Sequence, residues 1–179
     1  MPEIEIRPVL PADIPELIAL DHSYSSDFAW QMEIQSGESG IGVNFHEIRL
    51  PRSARVEYPR HPGALAEDWK HRDGLLVSVL EAEVVGYVSM MLNIAPVTTW
   101  VTDLVVMRRL RQQGIGSTLA LAAQEWGLAK GTRRIVLEIP PKNYPGIRLA
   151  QKLGFDFCGY NDRYYANHDI ALFFAKSLR

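Results

Sequence analysis

The sequence is poor in cysteine, in long apolar runs and in excess charge of either sign. One cysteine in 179 residues excludes an internal disulfide framework and is typical of proteins in a reducing compartment. The 19 basic and 21 acidic residues give a net charge of −2, whereas nucleic-acid-binding domains are usually basic. No apolar run approaches the length of a membrane span, and the N-terminus lacks a signal-peptide pattern. We therefore expect a cytoplasmic protein with neither a nucleic acid nor a membrane as partner.

Metal-ligand spacing is missing as well. The five histidines form no His-x-x-x-His pair or similar arrangement, so we expect no metal site. The lone cysteine, Cys158, follows Phe155 and Phe157 in an apolar segment, which favours a buried and unreactive thiol. No Ser/His/Asp or Cys/His arrangement is evident, which argues against a covalent acyl-enzyme intermediate.

Length and periodicity favour a single domain over residues 1–179 with mixed helices and strands. Period-2 alternation and β-branched runs predict strands, and apolar residues at helical spacing predict helices. Strands are predicted at 3–7, 43–50, 52–58, 75–81, 84–91, 98–106, 134–139, 155–160 and 169–175. Helices are predicted at 11–22, 25–35, 64–71, 116–130 and 144–153. The segment at 52–58 is expected to pair with 43–50 as the second arm of a hairpin.

The most informative segment joins a predicted strand to a predicted helix. The strand ends in Leu-Val-Val at 104–106, and a basic turn leads into Arg-Gln-Gln-Gly-Ile-Gly at 111–116. Glycine lets the backbone curl closely around a ligand, and the unpaired N–H groups of a first helical turn attract anions. The segment therefore predicts a site for a phosphate-bearing ligand, with a pyrophosphate favoured.

Two other phosphate-binding turns match this segment poorly. A P-loop requires Gly-x-x-x-x-Gly-Lys-Ser/Thr, and no lysine precedes Ser117. A dinucleotide-binding turn requires a third glycine and a position after the first strand of its unit, whereas only Gly114 and Gly116 are present, past the middle of the chain. Glu138 follows the next strand as the acidic residue of that fold would, so this alternative keeps some support.

The Arg-x-x-Gly-x-Gly turn, with its flanking strand and helix, resembles the signature of the GNAT N-acetyltransferase superfamily. The strand at 134–139, Asn143, a helix ending in Leu-Gly-Phe at 153–155 and a closing strand match in the same order, over about residues 74–176. The resemblance implies an α/β (α+β) fold with a mixed, mostly antiparallel, twisted sheet flanked by helices. It also implies acetyl-CoA as cosubstrate, bound where a central pair of strands splays apart.

The resemblance assigns the coenzyme to three stretches of the chain. Backbone amides of the turn would hold the pyrophosphate, and the preceding strand would run beside the pantetheine arm. A bulge there would free the N–H of Val105 or Val106 to stabilise an oxyanion. Asn143 would contact the pantetheine arm, or would only cap the next helix. The coenzyme-binding residues implied are Leu104, Val105, Val106, Arg111, Gln112, Gln113, Gly114, Ile115, Gly116, Ser117 and Asn143.

One position departs from the family pattern. Where members often have a tyrosine that donates a proton to the departing thiolate, this chain has Ala150. Because a free thiol has a pKa of roughly 8.5, the thiolate leaves without obligatory acid assistance. The alternatives for a proton donor are Tyr160, Tyr164 and Tyr165, with Tyr165 as our candidate.

The sequence also resembles the streptothricin acetyltransferase branch of the superfamily, which acetylates an amino group of a cationic antibiotic. The likeness is carried by Asp-Leu-Val-Val at 103–106, Leu-Glu at 137–138, Asn143, Tyr165 and the segment 169–174. Thr102 departs from it, since an acidic residue is expected beside Asp103. A cationic amine must lose a proton before it attacks, so Asp103 and Glu138 are candidates for the general base and for attracting the cation. Ion pairing with nearby basic residues is the other interpretation of both carboxylates.

We therefore expect an N-acetyltransferase that moves an acetyl group from acetyl-CoA to a small cationic amine by direct attack in a ternary complex. A streptothricin-like antibiotic is one candidate acceptor. Two alternatives stay open: a peptide or protein N-acetyltransferase, and a non-catalytic acyl-CoA-binding sensor, which Ala150 and Thr102 favour. The sequence also leaves a homodimer open.

Overall fold

A computed structural model describes residues 3–179. Along these residues the strands are β1 (Glu5–Pro8), β2 (Tyr24–Gly37), β3 (Gly40–Val56), β4 (Gly74–Leu80), β5 (Glu83–Met91), β6 (Thr98–Val106), β7 (Arg134–Ile139), β8 (Asp156–Asn161) and β9 (Ala171–Ser177). The α-helices are α1 (Ile14–Ala19), α2 (Leu65–Asp68), α3 (Ile115–Ala129) and α4 (Tyr144–Lys152). Short 3-10 turns lie at Pro11–Asp13, Pro62–Ala64, Trp69–His71 and Arg108–Leu110. No helix within residues 3–179 has the length and apolarity that crossing a bilayer requires.

Seven of the strands form one sheet in the order β1-β4-β5-β6-β7-β9-β8. The central pair β6–β7 is parallel and the other neighbouring pairs are antiparallel. The parallel pair requires a crossover, which α3 supplies. This is the mixed, mostly antiparallel sheet that the family resemblance implies. The remaining strands, β2 and β3, form a separate two-stranded ribbon.

The central strands β6 and β7 pair over only part of their length. Their register runs from Thr98↔Arg134 to Val101↔Leu137 and then stops, while β6 continues to Val106. At that point Thr102 is an extra residue in the β5–β6 ladder, because Asp103 pairs with Ser89 and Val101 pairs with Met90. A β-bulge bends its strand and increases the local twist. The two strands therefore diverge after Val101 and leave an opening at the beginning of α3.

Apolar layers cover both faces of the sheet. One buried cluster holds α3 and α4 against the central strands through Leu119, Ala123, Ile147 and Ala150. A second cluster packs α1 and α2 against β4 and β5 through Leu17 and Leu65. The helix that begins at the glycine turn is thus fixed to the sheet along its buried side.

The prediction of a helix at 25–35 was wrong. This segment belongs to β2, which pairs with β3 from Tyr24↔Val56 to Gly37↔Gly40. Phe28, Trp30 and Met32 recur at every second position, which is the period of a strand rather than of a helix. A register shift between Ser26 and Phe28 interrupts the alternation and made the pattern harder to interpret.

The predicted strands at 43–50 and 52–58 are not the two arms of one hairpin. Both lie in β3, and both pair with β2. The irregular stretch between them contains Pro51, which lacks a backbone N–H for the ladder and is tolerated where the register shifts. The true hairpin turn is at Gly37–Gly40.

The prediction of a buried thiol was also wrong, because Cys158 is exposed. It lies on β8 at the edge of the sheet, where Phe157 pairs with Phe174 and Gly159 pairs with Phe173. Cys158 is therefore the unpaired residue of a bulge at the sheet edge, whereas its burial was predicted from its apolar neighbours in sequence. Partial desolvation raises the pKa of its thiol, which lowers the fraction of reactive thiolate.

Candidate active site

The glycine turn brings the first turn of α3 to the open end of β6. Gly114 is the N-cap of α3 with φ 92°, a left-handed conformation that L-residues rarely adopt. The first N–H groups of the helix have no acceptor within it and carry the positive end of its dipole. A Cβ on Gly116 would lie 3.4 Å from Leu149 Cδ2 and 3.7 Å from Leu104 Cδ2. The absence of a side chain there keeps open the space between β6 and α4.

A cleft of about 640 Å³ lies beside this turn, between the end of β6 and the beginning of α4. Nine of the eleven sequence-predicted coenzyme residues line it, namely Leu104, Val105, Val106, Arg111, Gln112, Gly114, Gly116, Ser117 and Asn143. The other two do not: Ile115 is 2% exposed in the apolar core, and Gln113 donates from its side chain to the carbonyl of Arg109.

The bulge on β6 lies at Thr102, upstream of the expected position. The N–H of Met107 donates to the carbonyl of Val85, so the N–H groups of Val105 and Met107 point toward β5. By alternation, those of Leu104 and Val106 point into the opening left by β7. Of the two oxyanion donors predicted, Val106 therefore has the suitable orientation and Val105 does not.

The side chain of Arg111 is used inside the protein. Its Nε donates to the carbonyl of Val106 (2.8 Å), and its two terminal nitrogens donate to the carbonyls of Ser23 and Asp21 (2.6 Å each). These bonds join the glycine turn, the end of β6 and the segment before β2. Arg111 thus offers the cleft its backbone, while its guanidinium group holds the cleft wall in place.

Asn143 is the N-cap of α4, since its Oδ1 accepts a hydrogen bond from the N–H of Gly146 at 3.0 Å. Its amide nitrogen remains available to the cleft. A Cβ on Gly146 would lie 2.9–3.0 Å from the Asn143 side chain. Glycine at 146 therefore leaves room for this cap.

Asp103 and Glu138 lie together, around the guanidinium group of Arg60. The Glu138 side chain is fully buried and accepts hydrogen bonds from Arg60, from Trp100 Nε1 (2.6 Å) and from the Tyr164 hydroxyl (2.8 Å). Burial and the Glu138 charge raise the pKa of Tyr164 to about 12. With three donors on one enclosed carboxylate, little acceptor capacity is left for a substrate.

The Asp103 side chain is 5% exposed, whereas that of Glu138 is 0% exposed. It accepts hydrogen bonds from the hydroxyls of Tyr58 and Thr102, and the guanidinium groups of Arg60 and Arg72 lie 3.6 Å from its oxygens. Tyr58 also lines the cleft. Asp103, Glu138, Arg60 and Arg72 together form a carboxylate cluster with zero formal charge. Tyr58 connects this cluster to the cleft.

The three tyrosines considered as proton donors have different surroundings. Tyr165 is buried beneath Arg60, whose guanidinium carbon lies 5.2 Å from the ring centroid, and it does not line the cleft. Burial raises its pKa far above the usual value for tyrosine. Tyr160 lies on β8 against Phe45, with ring centroids 5.2 Å apart. Tyr165 stays a prediction as a catalytic residue, and it belongs to the carboxylate cluster rather than to the cleft.

Several residues of the site were missed from the sequence because they come from the segment 20–72, which carries no motif. His22 and Tyr24 line the cleft beside Tyr58. His22 Nδ1 lies 2.7 Å from the carbonyl of Leu20 and therefore carries the proton, so Nε2 accepts from the Tyr87 hydroxyl. Burial lowers the pKa of His22 and favours this neutral form. Residues 3–179 contain no group of three His, Cys, Asp or Glu side chains suited to a metal ion.

Known acetyltransferases share the fold of this chain. A streptothricin acetyltransferase from Streptomyces lavendulae is 23% identical over 167 residues, covering 90% of this chain and 86% of that protein. A crystal structure of nourseothricin acetyltransferase matches with a TM-score of 0.82 at 20% identity, over 98% of this chain and 99% of that one. A Bacillus anthracis protein described as a streptothricin acetyltransferase, solved with acetyl coenzyme A, matches with a TM-score of 0.75 at 16% identity over 98% and 99%. The acetyltransferase (GNAT) family profile matches residues 44–155, and the chain belongs to that family.

Proposed function

We propose that this acetyltransferase moves an acetyl group from acetyl-CoA to an amino group of a small cationic molecule, a streptothricin-like antibiotic being the first candidate. The observation that carries the proposal is the cleft where β6 leaves β7, because it meets the unpaired N–H groups at the start of α3. An extended thioester with a pyrophosphate at one end fits such a site. The printed names of the relatives, which include a streptothricin acetyltransferase and a nourseothricin acetyltransferase, support the choice of acceptor.

The coenzyme would be held mainly by backbone groups. The N–H groups of Gln112, Gly114, Gly116 and Ser117 bind the pyrophosphate, and the open edge of β6 at Leu104 and Val106 runs along the pantetheine arm. The amide nitrogen of Asn143 donates to the same arm. The N–H of Val106 stabilises the oxyanion that forms when the amine attacks the thioester carbonyl.

The acceptor is activated by loss of a proton. We assign the general base to Asp103, acting through Tyr58, because Tyr58 both lines the cleft and donates to this carboxylate. Glu138 holds Arg60, Trp100 and Tyr164 in place and supports the geometry of the site. Arg60 lies beside both carboxylates and Arg72 beside Asp103, so their positive charges balance the charge of the pair.

The test is acetyl-CoA turnover with a panel of amines, followed through the release of free thiol. The panel contains streptothricin, other cationic amines and short peptides with a free N-terminus. We expect turnover with streptothricin or a related cationic amine. Turnover confined to peptides would assign the protein to the peptide acetyltransferases instead.

Binding must be measured separately from turnover. Calorimetric titration with acetyl-CoA should show a single site per chain. Tight binding without turnover on any amine would favour a non-catalytic acyl-CoA sensor, and no binding at all would contradict the coenzyme site. These two results distinguish failure of the chemistry from failure of the cleft assignment.

A further inference from the structure

Tyr24, the first residue of β2, lines the coenzyme cleft with an uncommitted hydroxyl. It is 7% exposed, and its hydroxyl is buried without a hydrogen-bond partner among residues 3–179. Buried polar groups are nearly always hydrogen-bonded, because leaving one unpaired costs stability. An exception at the wall of a ligand cleft points to a partner supplied by the ligand.

The chain around Tyr24 is held across the opening between β6 and β7. On one side, Arg111 donates to the carbonyls of Asp21 and Ser23 at 2.6 Å. On the other side, the N–H of Trp30 donates at 3.0 Å to the carbonyl of Pro141, just after β7. Tyr24 lies between these attachments along the chain and lines the same cleft as Leu104 and Val106 on β6.

The helix α4 offers no hydroxyl at the position where the family often has one. Ala150 is fully buried in the apolar core. The other two tyrosines of the cleft have partners: Tyr58 donates to Asp103, and the pKa of Tyr144 is raised because its hydroxyl is bonded to Glu47.

We propose that the Tyr24 hydroxyl donates a hydrogen bond to the sulfur of coenzyme A as the thiolate leaves. This inference rests on the proposed transfer from acetyl-CoA. The amine nitrogen forms the new bond to the carbonyl carbon and loses its proton to the general base, and the carbon–sulfur bond breaks with its electron pair on sulfur. Tyr24 keeps its own proton, and the thiolate is later protonated from solvent.

The environment suits a donor that does not ionise. Burial, and the negative charge of Asp169 in addition, raise the pKa of Tyr24 well above its ordinary value. The hydroxyl therefore stays protonated throughout the pH range of the reaction. Since hydrogen bonds to charged acceptors are stronger than those to neutral ones, its contact with sulfur strengthens as negative charge develops. That is the condition for lowering the barrier rather than merely binding the ground state.

The test compares Tyr24→Phe with Tyr160→Phe, a control on β8 outside the cleft. Each variant is titrated by calorimetry with coenzyme A and with desulfo-coenzyme A, about one pH unit above the thiol pKa of roughly 8.5 so that the thiolate predominates. We expect Tyr24→Phe to lose about tenfold or more of the preference for coenzyme A over its desulfo analogue. Tyr160→Phe should keep the full preference.

Stability and turnover complete the test. Because the hydroxyl is unpaired, Tyr24→Phe should melt at the same temperature as the parent protein or higher, while its kcat falls about tenfold or more with little change in KM. A lower melting temperature, or an unchanged preference for the thiolate, would overturn the inference. If the parent protein bound neither coenzyme A nor desulfo-coenzyme A, that result would instead contradict the proposed function.

Discussion

Replacing Arg111 with methionine should destabilise the protein substantially. The change removes three charge-assisted hydrogen bonds, to the carbonyls of Val106, Ser23 and Asp21. Each such bond contributes about 1.5–3 kcal/mol. Burial lowers the pKa of Arg111, which shows that desolvation of its charge opposes part of this gain. Water can also reach carbonyls beside an open cleft, so we expect a net loss of about 2–4 kcal/mol.

The corresponding change in melting temperature is roughly 5–15 °C, because 1 kcal/mol shifts a chain of this size by about 2–4 °C. Thermal unfolding followed by circular dichroism measures it. Arg111→Lys is the matched control: it keeps the charge but not the planar fork, and should lie between the parent and the methionine variant.

The same variant separates two roles for this residue. If the Arg111 side chain bound the pyrophosphate directly, Arg111→Met would melt within about 2 °C of the parent and lose affinity for coenzyme A in a salt-dependent way. We expect the opposite: a large loss of stability, with the backbone N–H groups still binding the coenzyme in the folded fraction. A stable variant with abolished binding would refute the reasoning.

Three further outcomes are expected. Gly116→Asp should weaken coenzyme A binding by ~100-fold or more in calorimetry, because the new carboxylate repels the phosphates. Gly116→Asn fills the same space without the charge and should weaken binding less. Equal losses of affinity in the two variants would contradict the anion site. Asp103→Asn should lower turnover by about 100-fold mainly below the pKa of the amine, and an unaltered pH–rate profile would exclude Asp103 as the base. Burial lowers the pKa of His22 from 6.5, so its contribution to stability is complete above about pH 6.5 and is lost as the pH falls below that value. The melting temperature of His22→Gln should therefore decline less steeply on acidification than that of the parent protein. Parallel curves for the two proteins would show that other groups titrate.

The sequence was sufficient for the family, the sheet and the position of the glycine turn. A glycine turn followed by the N-terminus of a helix is a local feature, and the groups that bind an anion there belong to the backbone of consecutive residues. The strand β6, the helix α3 and the N-cap Asn143 all lie where the pattern predicts them, to within a residue or two. The family resemblance then supplied the order of the remaining elements.

The sequence was less informative for the segment 20–60, where the pattern is irregular. The register of β2 shifts between Ser26 and Phe28, and the aromatic residues that follow were assigned to a helix although they recur with the period of a strand. Their packing depends on distant partners, since Trp30 lies against Phe174 of β9 with ring centroids 5.6 Å apart and Phe28 lies against Tyr144 of α4. Nothing within eleven consecutive residues specifies such a partner.

The chemical surroundings of the candidate catalytic groups were decided by tertiary structure alone. The sequence identified two carboxylates, and the fold gave each of them an arginine and a tyrosine from distant segments, such as Arg60 for Glu138, 78 positions away, and Tyr58 for Asp103, 45 positions away. The same fold placed Tyr24 at the cleft, with its buried hydroxyl unpartnered among residues 3–179. Backbone anion sites are encoded by short segments because their geometry is local, whereas the charge, protonation and accessibility of a buried side chain depend on whatever the folded chain packs around it.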